Sequence, residues 1–600
     1  MTTCCRPAGA HPRGWAGCWP RWCVVNTQIS PSEQTDPDQA LIDRARTWLD
    51  DDPDPDTRAE LRELIVMDDL TELHSRFDTG LSFGTAGLRG ALGAGPNRMN
   101  RVVVQRAAAG LAGYLRQAGE QGGTVVIGYD ARYKSEAFAS DTADVLAGLG
   151  LTPVVLPRPL PTPVLAYAIR HQQAVAGVMV TASHNPAADS GYKVYLGDGR
   201  QIAPPADAEI AAMIEKVPQV TNLPKNSDWA HLDDTVVDDY VERVAGLVAD
   251  ESPRRISVAY TPMHGVGKDV LLAALSGAGF APPTVVAEQA EPDPEFPTLD
   301  FPNPEEPGVL DLALATADQV DAQLVIANDP DADRCTAAVR CRDGSYQQLT
   351  GDEIGALLAE HLLRRSDLPT SAAPDEPPRD TFATTIVSST LLSRMAAAHS
   401  VPYAETLTGF KWLTRVDGVR YAYEEAIGYC VDPAAVADKD GVSAAVLLCE
   451  LAATLAAEGR NLVDLLDDLA AEHGVHATSQ LSVRVQQPAE REELLKQLSA
   501  DPPQTLAGLT VEAIDNLEDT STGLPATPGL RFRLAEDARI IVRPSGTEPK
   551  LKCYLEAVVP VSEDTGVAAA RKLAADRLTA LADDLATAGG FPAHDGGRGH

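Results

Sequence analysis

VMVTASHNPAADSGYKVY, residues 178 to 195, is the stretch on which the reading of the chain turns. An apolar run ends at Thr181, then Ala182, Ser183, His184, Asn185 and Pro186 follow, and Lys193 comes ten residues after the serine. Ser, Asn and Pro are ordinary turn formers, and every strand must end. Taken alone, the stretch is as well read as a strand end as a reactive loop. In α/β sheets, however, ligands bind where strands end at their carboxyl edge. What surrounds the stretch decides between the two readings.

Working outward, strands alternate with amphipathic helices on both sides. TVVIGYD reads as a strand, SEAFASDTADVLAGLG as a helix, TPVVLP as a strand and PTPVLAYAIRHQQA as a helix. That alternation implies a mostly parallel sheet covered by helices. It recurs in RRISVAYTPMHGVGKDVLLAALSGAG, in AQLVIANDPDADR and in DTFATTIVSSTLLSRMAAAHS. After about residue 475 the style changes to strands closed by one long helix. The expected fold is α/β, with three consecutive related α/β domains of mixed, mostly parallel sheets. A smaller C-terminal α+β domain follows. The expected divisions are a tail over 1–36, domains over 37–222, 223–347, 348–474 and 475–590, and a tail over 591–600. The Pro-rich stretch SDLPTSAAPDEPPRD, 366–380, reads as an exposed insertion or linker.

At about 150 residues per domain, 600 residues fit roughly four domains. The formal charge is −36, from 50 basic and 86 acidic residues, which argues against nucleic-acid or anionic-membrane binding. A small basic pocket inside an acidic shell could still take an anionic substrate. No stretch reads as a membrane span; SAAVLLCELAATLAA, from Ser443, is broken by Glu450 and reads as a buried helix. Cys335, Cys341, Cys430, Cys449 and Cys553 are scattered, as suits a reducing cytoplasm. Cys4, Cys5, Cys18 and Cys23 crowd the first 23 residues with three tryptophans. We read that segment as a disordered tail, or as outside the native coding sequence up to about residue 24, contributing nothing to activity.

Three further loops carry chemistry. In NDPDADR, 328–334, Asp329, Asp331 and Asp333 follow an apolar run. Three carboxylates in five residues repel one another unless a cation joins them, and hard divalent ions take such oxygens. The alternative is a solvated acidic turn. A calcium EF-hand is excluded, because Arg334 stands at the sixth position and Arg340 at the twelfth. In YEEAIGY, 423–429, Glu424 and Glu425 point to opposite sides if extended, so at most one is chemical; a solvated turn is the other reading. In RPSGTEPKLK, 543–552, Arg543 with Ser545, Gly546 and Thr547 forms a candidate phosphate cradle, against a generic hairpin turn. A nucleophilic serine, a metal triad, a carboxylate loop and a phosphate loop together are parts for phosphoryl transfer. A serine hydrolase is a poor fit, because Ser183 and His184 are neighbours in the sequence.

TASHNP, DPDADR, EEAIG and RPSGTEPK, in that order from 181 to 550, with FGTAGLRG at 83, resemble the α-D-phosphohexomutase superfamily, which includes phosphoglucomutase and phosphomannomutase. The wording FGTAGLR, GFKW and EEAIGY resembles its longer phosphoglucomutase/phosphopentomutase branch. The resemblance implies four domains around a central cleft, three of related α/β topology and the last different, and a phosphoserine at Ser183 that donates to a sugar monophosphate. The bisphosphate intermediate turns over in the cleft and returns its other phosphate. It implies one Mg²⁺ per chain, held by Asp329, Asp331, Asp333 and a phosphoserine oxygen of Ser183. Arg89 and Lys193 flank the serine beside His184, and Lys193 acts as general acid/base or holds the transferring phosphoryl. Arg334, Lys411 and Glu424 or Glu425 contact the sugar or its phosphate, and Arg543, Ser545, Gly546 and Thr547 hold the non-reacting phosphate.

Many members read Gly-Glu-x-Ser-Gly where this chain reads Tyr423-Glu424-Glu425-Ala426-Ile427-Gly428, so the loop's serine is missing. Glucose phosphate is the first expectation, then mannose phosphate, with ribose or deoxyribose 1-/5-phosphate as the alternative. An aspartyl-phosphate hydrolase using Asp329 and Asp331, or a non-catalytic sugar-phosphate sensor, is the reading from another class. The expected partners are small-molecule sugar phosphates, with no nucleic acid and no membrane, in a cytoplasmic monomer or homodimer.

Overall fold

The structure, a computed structural model, describes residues 36–365, 380–484, 488–519, 523–544, 550–562 and 564–590. The expected tails before 36 and after 590, the Pro-rich stretch 366–379, and Ser545, Gly546 and Thr547 lie outside the described residues.

Three helices, Pro37–Asp51, Pro55–Val66 and Leu70–Phe77, begin the described chain. Each starts on an aspartate (Asp36, Asp54 and Asp69) whose side chain accepts a first-turn N–H, the role short acidic side chains fill at helix starts. Their shared core is built on Leu41, Leu61, Leu73 and Phe77.

The first sheet runs, in space, Leu88–Ala91, Asp189–Leu196, Ala176–Val180, Thr124–Tyr129, Thr152–Val155, Ala230–His231. Its central pairings are parallel, and Asp189–Leu196 returns antiparallel along Ala176–Val180. That return is the quoted stretch: Val178 and Met179 pair with Val194 and Lys193, so the serine loop is the turn of a hairpin. The two-residue strand Ala230–His231 pairs with Val154 and Val155 and belongs to this sheet.

The second sheet orders Tyr346–Gln348, Cys335–Arg340, Leu324–Asn328, Val258–Thr261 and Thr284–Val285; the third orders Tyr403–Thr406, Thr381–Thr385, Val419–Glu424 and Gly428–Cys430. In both, the pairings on one side are parallel and those on the other are antiparallel. The fourth sheet is antiparallel throughout, with the helix Gly566–Gly589 packed across it. Mixed α/β domains followed by a different last one are therefore what the chain forms.

The helix Gly441–Ala457 is buried along nearly its whole length. It follows the third sheet in the chain but packs against Lys268–Gly277 and Leu324–Asn328 of the second. One core joins the two domains. Among the described residues no single helix is long and apolar enough to cross a membrane; Gly441–Ala457 with Leu462–His473 meets the length and composition test only as a pair bent by 87°.

Candidate active site

Ser183 follows the buried strand Ala176–Val180 and is 2% exposed. Its φ is 52°, in the left-handed region, which costs a residue bearing a Cβ about 1–2 kcal/mol. Such strain persists only where surroundings over-determine it. Here they do. Arg132, buried, donates to the carbonyls of Ser183 and Asn185 at 2.6 Å and of Pro186 at 2.8 Å. Thr181 Oγ1 accepts the Ser183 N–H at 2.9 Å. Five donors in a rigid fork let one arginine hold several carbonyls of this one loop.

The acidic loop meets this serine across the first and second domains. Ser183 Oγ donates to Asp329 Oδ2 at 2.8 Å. Lys193 Nζ donates to Asp331 Oδ2 at 2.7 Å and Asp333 Oδ2 at 2.8 Å. Thr162 Oγ1 donates to Asp331 Oδ2 at 2.6 Å, and Lys439, from the third domain, lies 2.7 Å from Asp333 Oδ2. Close backbone contact fixes the loop. A Cβ on Gly265 would stand 2.4 Å from Pro330 Cα, and one on Gly441 would stand 2.2 Å from the Arg334 carbonyl oxygen.

All three carboxylates are fully buried, and their ligand atoms lie within 4.8 Å of one another. One oxygen each of Asp331 and Asp333 is engaged by the protein; their Oδ1 atoms are buried without a hydrogen-bond partner among the described residues. Buried acceptors left unpaired are costly, so these oxygens fit a bound cation. This triad could hold a metal ion. Burial, then the charges of Asp331 and Asp333, push Asp329 well above the usual carboxylate range. Burial acts the same way on Asp331, but Lys193 and Lys439 hold it below that range.

His184 Nδ1 lies 3.3 Å from Ser183 Oγ. Burial, then Arg334 and Arg89, push its imidazole well below its ordinary value, so the ring is neutral at pH 7. Arg89 donates to Asn185 Oδ1 at 3.0 Å and so reaches the serine loop through its asparagine. Lys411 bonds Thr85 of the FGTAGLRG loop, and Arg543 bonds Thr408 beside it, which brings the first, third and fourth domains to one place.

The two glutamates part as an extended chain requires. Glu425 Oε2 accepts from Ser388 at 3.1 Å and Thr385 at 3.2 Å. The Glu424 side chain makes no hydrogen bond among the described residues; burial raises its pKa, and the nearby Arg334 and Lys439 oppose that rise.

Arg132, Lys439 and Thr162 were not singled out from the sequence. YDARYKS does end a strand, Thr124–Tyr129, in a charged pair, so the strand-end rule would have reached Arg132. Nothing local marks Thr162 or Lys439, whose partners are 169 residues away and in another domain.

Comparison with known proteins agrees along the chain. Residues 80–221, 238–344 and 350–473 match the families described as phosphoglucomutase/phosphomannomutase alpha/beta/alpha domains I, II and III, and 482–574 match the corresponding C-terminal domain. This chain belongs to the phosphoglucomutase/phosphomannomutase family of phosphohexomutases, and is an isomerase-type phosphotransferase acting on small sugar phosphates. It is 45% identical over 466 residues, 76% of this chain and 93% of the relative, to a probable phosphomannomutase of Haemophilus influenzae. It is 34% identical to a phosphoglucomutase of Staphylococcus haemolyticus (80% of this chain, 90% of the relative) and to the human phosphopentomutase (87% and 92%). The crystal structure of a putative phosphomannomutase from Thermus thermophilus superposes with a TM-score of 0.63 at 26% identity, over 82% of this chain and 99% of that one.

Proposed function

We propose that the chain interconverts sugar 1-phosphate and 6-phosphate through a phosphoserine at Ser183, with glucose as the first sugar and mannose the second. The observation that carries this is the strained, buried Ser183 hydroxyl held 2.8 Å from a buried carboxylate triad.

In this reading the Oγ–P bond of phosphoserine breaks as a sugar hydroxyl oxygen bonds phosphorus. Lys193, an ammonium in its bonds to Asp331 and Asp333, gives a proton to the departing Ser183 Oγ and takes up the proton released by the sugar hydroxyl. The bisphosphate then reorients, and Ser183 takes back the phosphoryl from the other position. Asp329, Asp331, Asp333 and a phosphoserine oxygen would hold one Mg²⁺, which offsets charge on the transferring phosphoryl. His184, neutral, orients the serine hydroxyl, and Arg89 steadies the loop. Arg543 with Ser545, Gly546 and Thr547 grips the non-reacting phosphate while Arg334 and Lys411 face the sugar phosphate. Glu424, with its carboxylate uncommitted, is the glutamate that accepts from sugar hydroxyls; Glu425 is already occupied by Ser388 and Thr385.

Two staphylococcal relatives named phosphoglucomutase support glucose. The 45% relative supports mannose, which differs from glucose at one carbon, and relatives named phosphopentomutase support ribose or deoxyribose 1-/5-phosphate as the alternative. Turnover of glucose, mannose, ribose and deoxyribose 1-phosphates by the purified enzyme with Mg²⁺ and a trace of sugar bisphosphate tests the assignment. The highest kcat/KM on glucose 1-phosphate is expected; a pentose phosphate preferred by tenfold or more would replace it.

A further inference from the structure

We propose, on the reading of Asp329, Asp331 and Asp333 as metal ligands, that Lys439 is a built-in counter-cation of the triad that sets how tightly it takes a divalent ion. Lys439 Nζ lies 2.7 Å from Asp333 Oδ2. Lys193 Nζ donates to the same oxygen at 2.8 Å and to Asp331 Oδ2 at 2.7 Å. Two ammonium groups therefore stand against three buried carboxylates. Lys193 arrives on the strand that returns from the serine loop, whereas Lys439 arrives from the third domain and, among the described residues, forms its only ion pair with Asp333. It is a positioning residue that acts through Asp333.

The backbone on either side of Lys439 is tied to the other domains. Asp438 Oδ2 accepts from Tyr195 Oη and from Gln201 Nε2 of the first domain, each at 2.8 Å. Asp440 Oδ1 accepts from Tyr240 Oη of the second domain at 2.8 Å and from the Val442 and Ser443 N–H groups at 3.0 Å, capping the helix Gly441–Ala457. Gly441 lies directly on the acidic loop, where a Cβ would also stand 2.8 Å from the Ala332 carbonyl oxygen. Asp438, Lys439 and Asp440 are all buried, so the ammonium has little room to withdraw from Asp333. A positive charge held there opposes a divalent ion at the same carboxylates, because charges interact strongly where water is excluded. The two lysines engage the Oδ2 atoms of Asp331 and Asp333 and leave both Oδ1 atoms without a hydrogen-bond partner among the described residues. The triad is thus part-neutralised by the chain itself and takes its metal less tightly than three carboxylates alone would. A lysine that merely braced Asp333 would act in the opposite sense, since its removal would loosen the ligands and weaken binding. The sign of the change separates charge from bracing.

The test is Mn²⁺ binding to the dephosphorylated enzyme, without sugar phosphate, followed by the electron paramagnetic resonance signal of free Mn²⁺. Lys439→Met keeps an unbranched side chain and removes the charge. It should bind Mn²⁺ about tenfold more tightly or better. Its melting temperature should also begin to rise at lower Mn²⁺ concentration than that of the unaltered enzyme. Lys439→Arg keeps the charge and should stay within about threefold of the unaltered affinity. Should Lys439→Met fold only when Mn²⁺ is present, the ion has taken the place of the ammonium, as the proposal requires. Unchanged or weaker binding in Lys439→Met, equal tightening in Lys439→Arg, or a Lys439→Met chain that stays unfolded at every Mn²⁺ concentration would overturn the proposal and leave the metal reading standing. Unaltered enzyme that takes up no Mn²⁺ would overturn both.

Discussion

Ser183 Oγ donates to Asp329 Oδ2 at 2.8 Å, joining the end of a strand in the first domain to the end of one in the second across 146 residues of sequence. Neither loop could make a site alone. The serine loop supplies a hydroxyl in a strained turn, and the acidic loop supplies three carboxylates that burial makes costly unless cations share them. Lys193 reaches two of them from the strand that returns from the serine loop.

Asp331→Asn removes one negative charge from the triad and keeps its shape. Metal affinity and turnover should both fall, with turnover partly recovered at high Mg²⁺. A titration of kcat against Mg²⁺, with and without chelator, measures this. Equal activity in excess chelator and in Mg²⁺ would take the metal out of the reaction.

Arg132→Lys leaves one ammonium where a fork held three carbonyls. Leaving buried carbonyls unpaired costs about 1–3 kcal/mol of stability. The loss in turnover should be larger, on the order of 10²-fold, because the serine is displaced from its aligned position. Melting temperature and kcat on one preparation separate the two; an unchanged kcat would show that the loop holds its shape unaided.

Glu425 is pushed up to about 7 by burial, then by the charges of Glu424 and Asp352. The folded state therefore favours its neutral form. Its contribution to stability is complete below the ordinary carboxylate range and is lost as pH rises through 7. In Glu425→Gln that loss is absent. The variant's melting temperature relative to the unaltered enzyme should rise between pH 5 and pH 8; a constant difference would mean that Glu425 stays charged throughout.

Arg543→Lys exchanges a bidentate fork for a point charge. KM for sugar phosphate should rise about tenfold, the equivalent of one lost hydrogen bond of roughly 1.4 kcal/mol. The bisphosphate should also leave more often before it turns over. Unchanged KM and unchanged bisphosphate release would put the phosphate grip elsewhere.

Much of this site was legible because its parts are local. Ser183, the triad and Lys193 each sit within a few residues of a strand end, and strand ends are visible as apolar runs that stop. The four-part organisation was legible for the same reason, as repeated alternation of strands and helices. What the sequence hid depends on long-range packing. Arg132 binds the serine loop across more than 50 residues, and Lys439 meets Asp333 from another domain. Glu424 and Glu425 are adjacent in a strand, and only the position of Ser388 and Thr385 tells which is engaged. Ala230–His231 is too short a strand to show any periodicity. The helix Gly441–Ala457 is apolar on all sides because two domains bury it, which its pattern alone cannot say.

The most direct measurement is the location of phosphate on the enzyme. The purified enzyme, loaded with sugar bisphosphate and digested, should carry a stable phosphoryl group on the Ser183 peptide. Adding sugar monophosphate should remove that group and release bisphosphate at a rate matching turnover. Ser183→Ala should fold, carry no phosphate there, and lose turnover by about 10³-fold or more, as enzymes do on losing a nucleophile. Phosphate found instead on Asp329, or near-normal turnover in Ser183→Ala, would contradict the phosphoserine account.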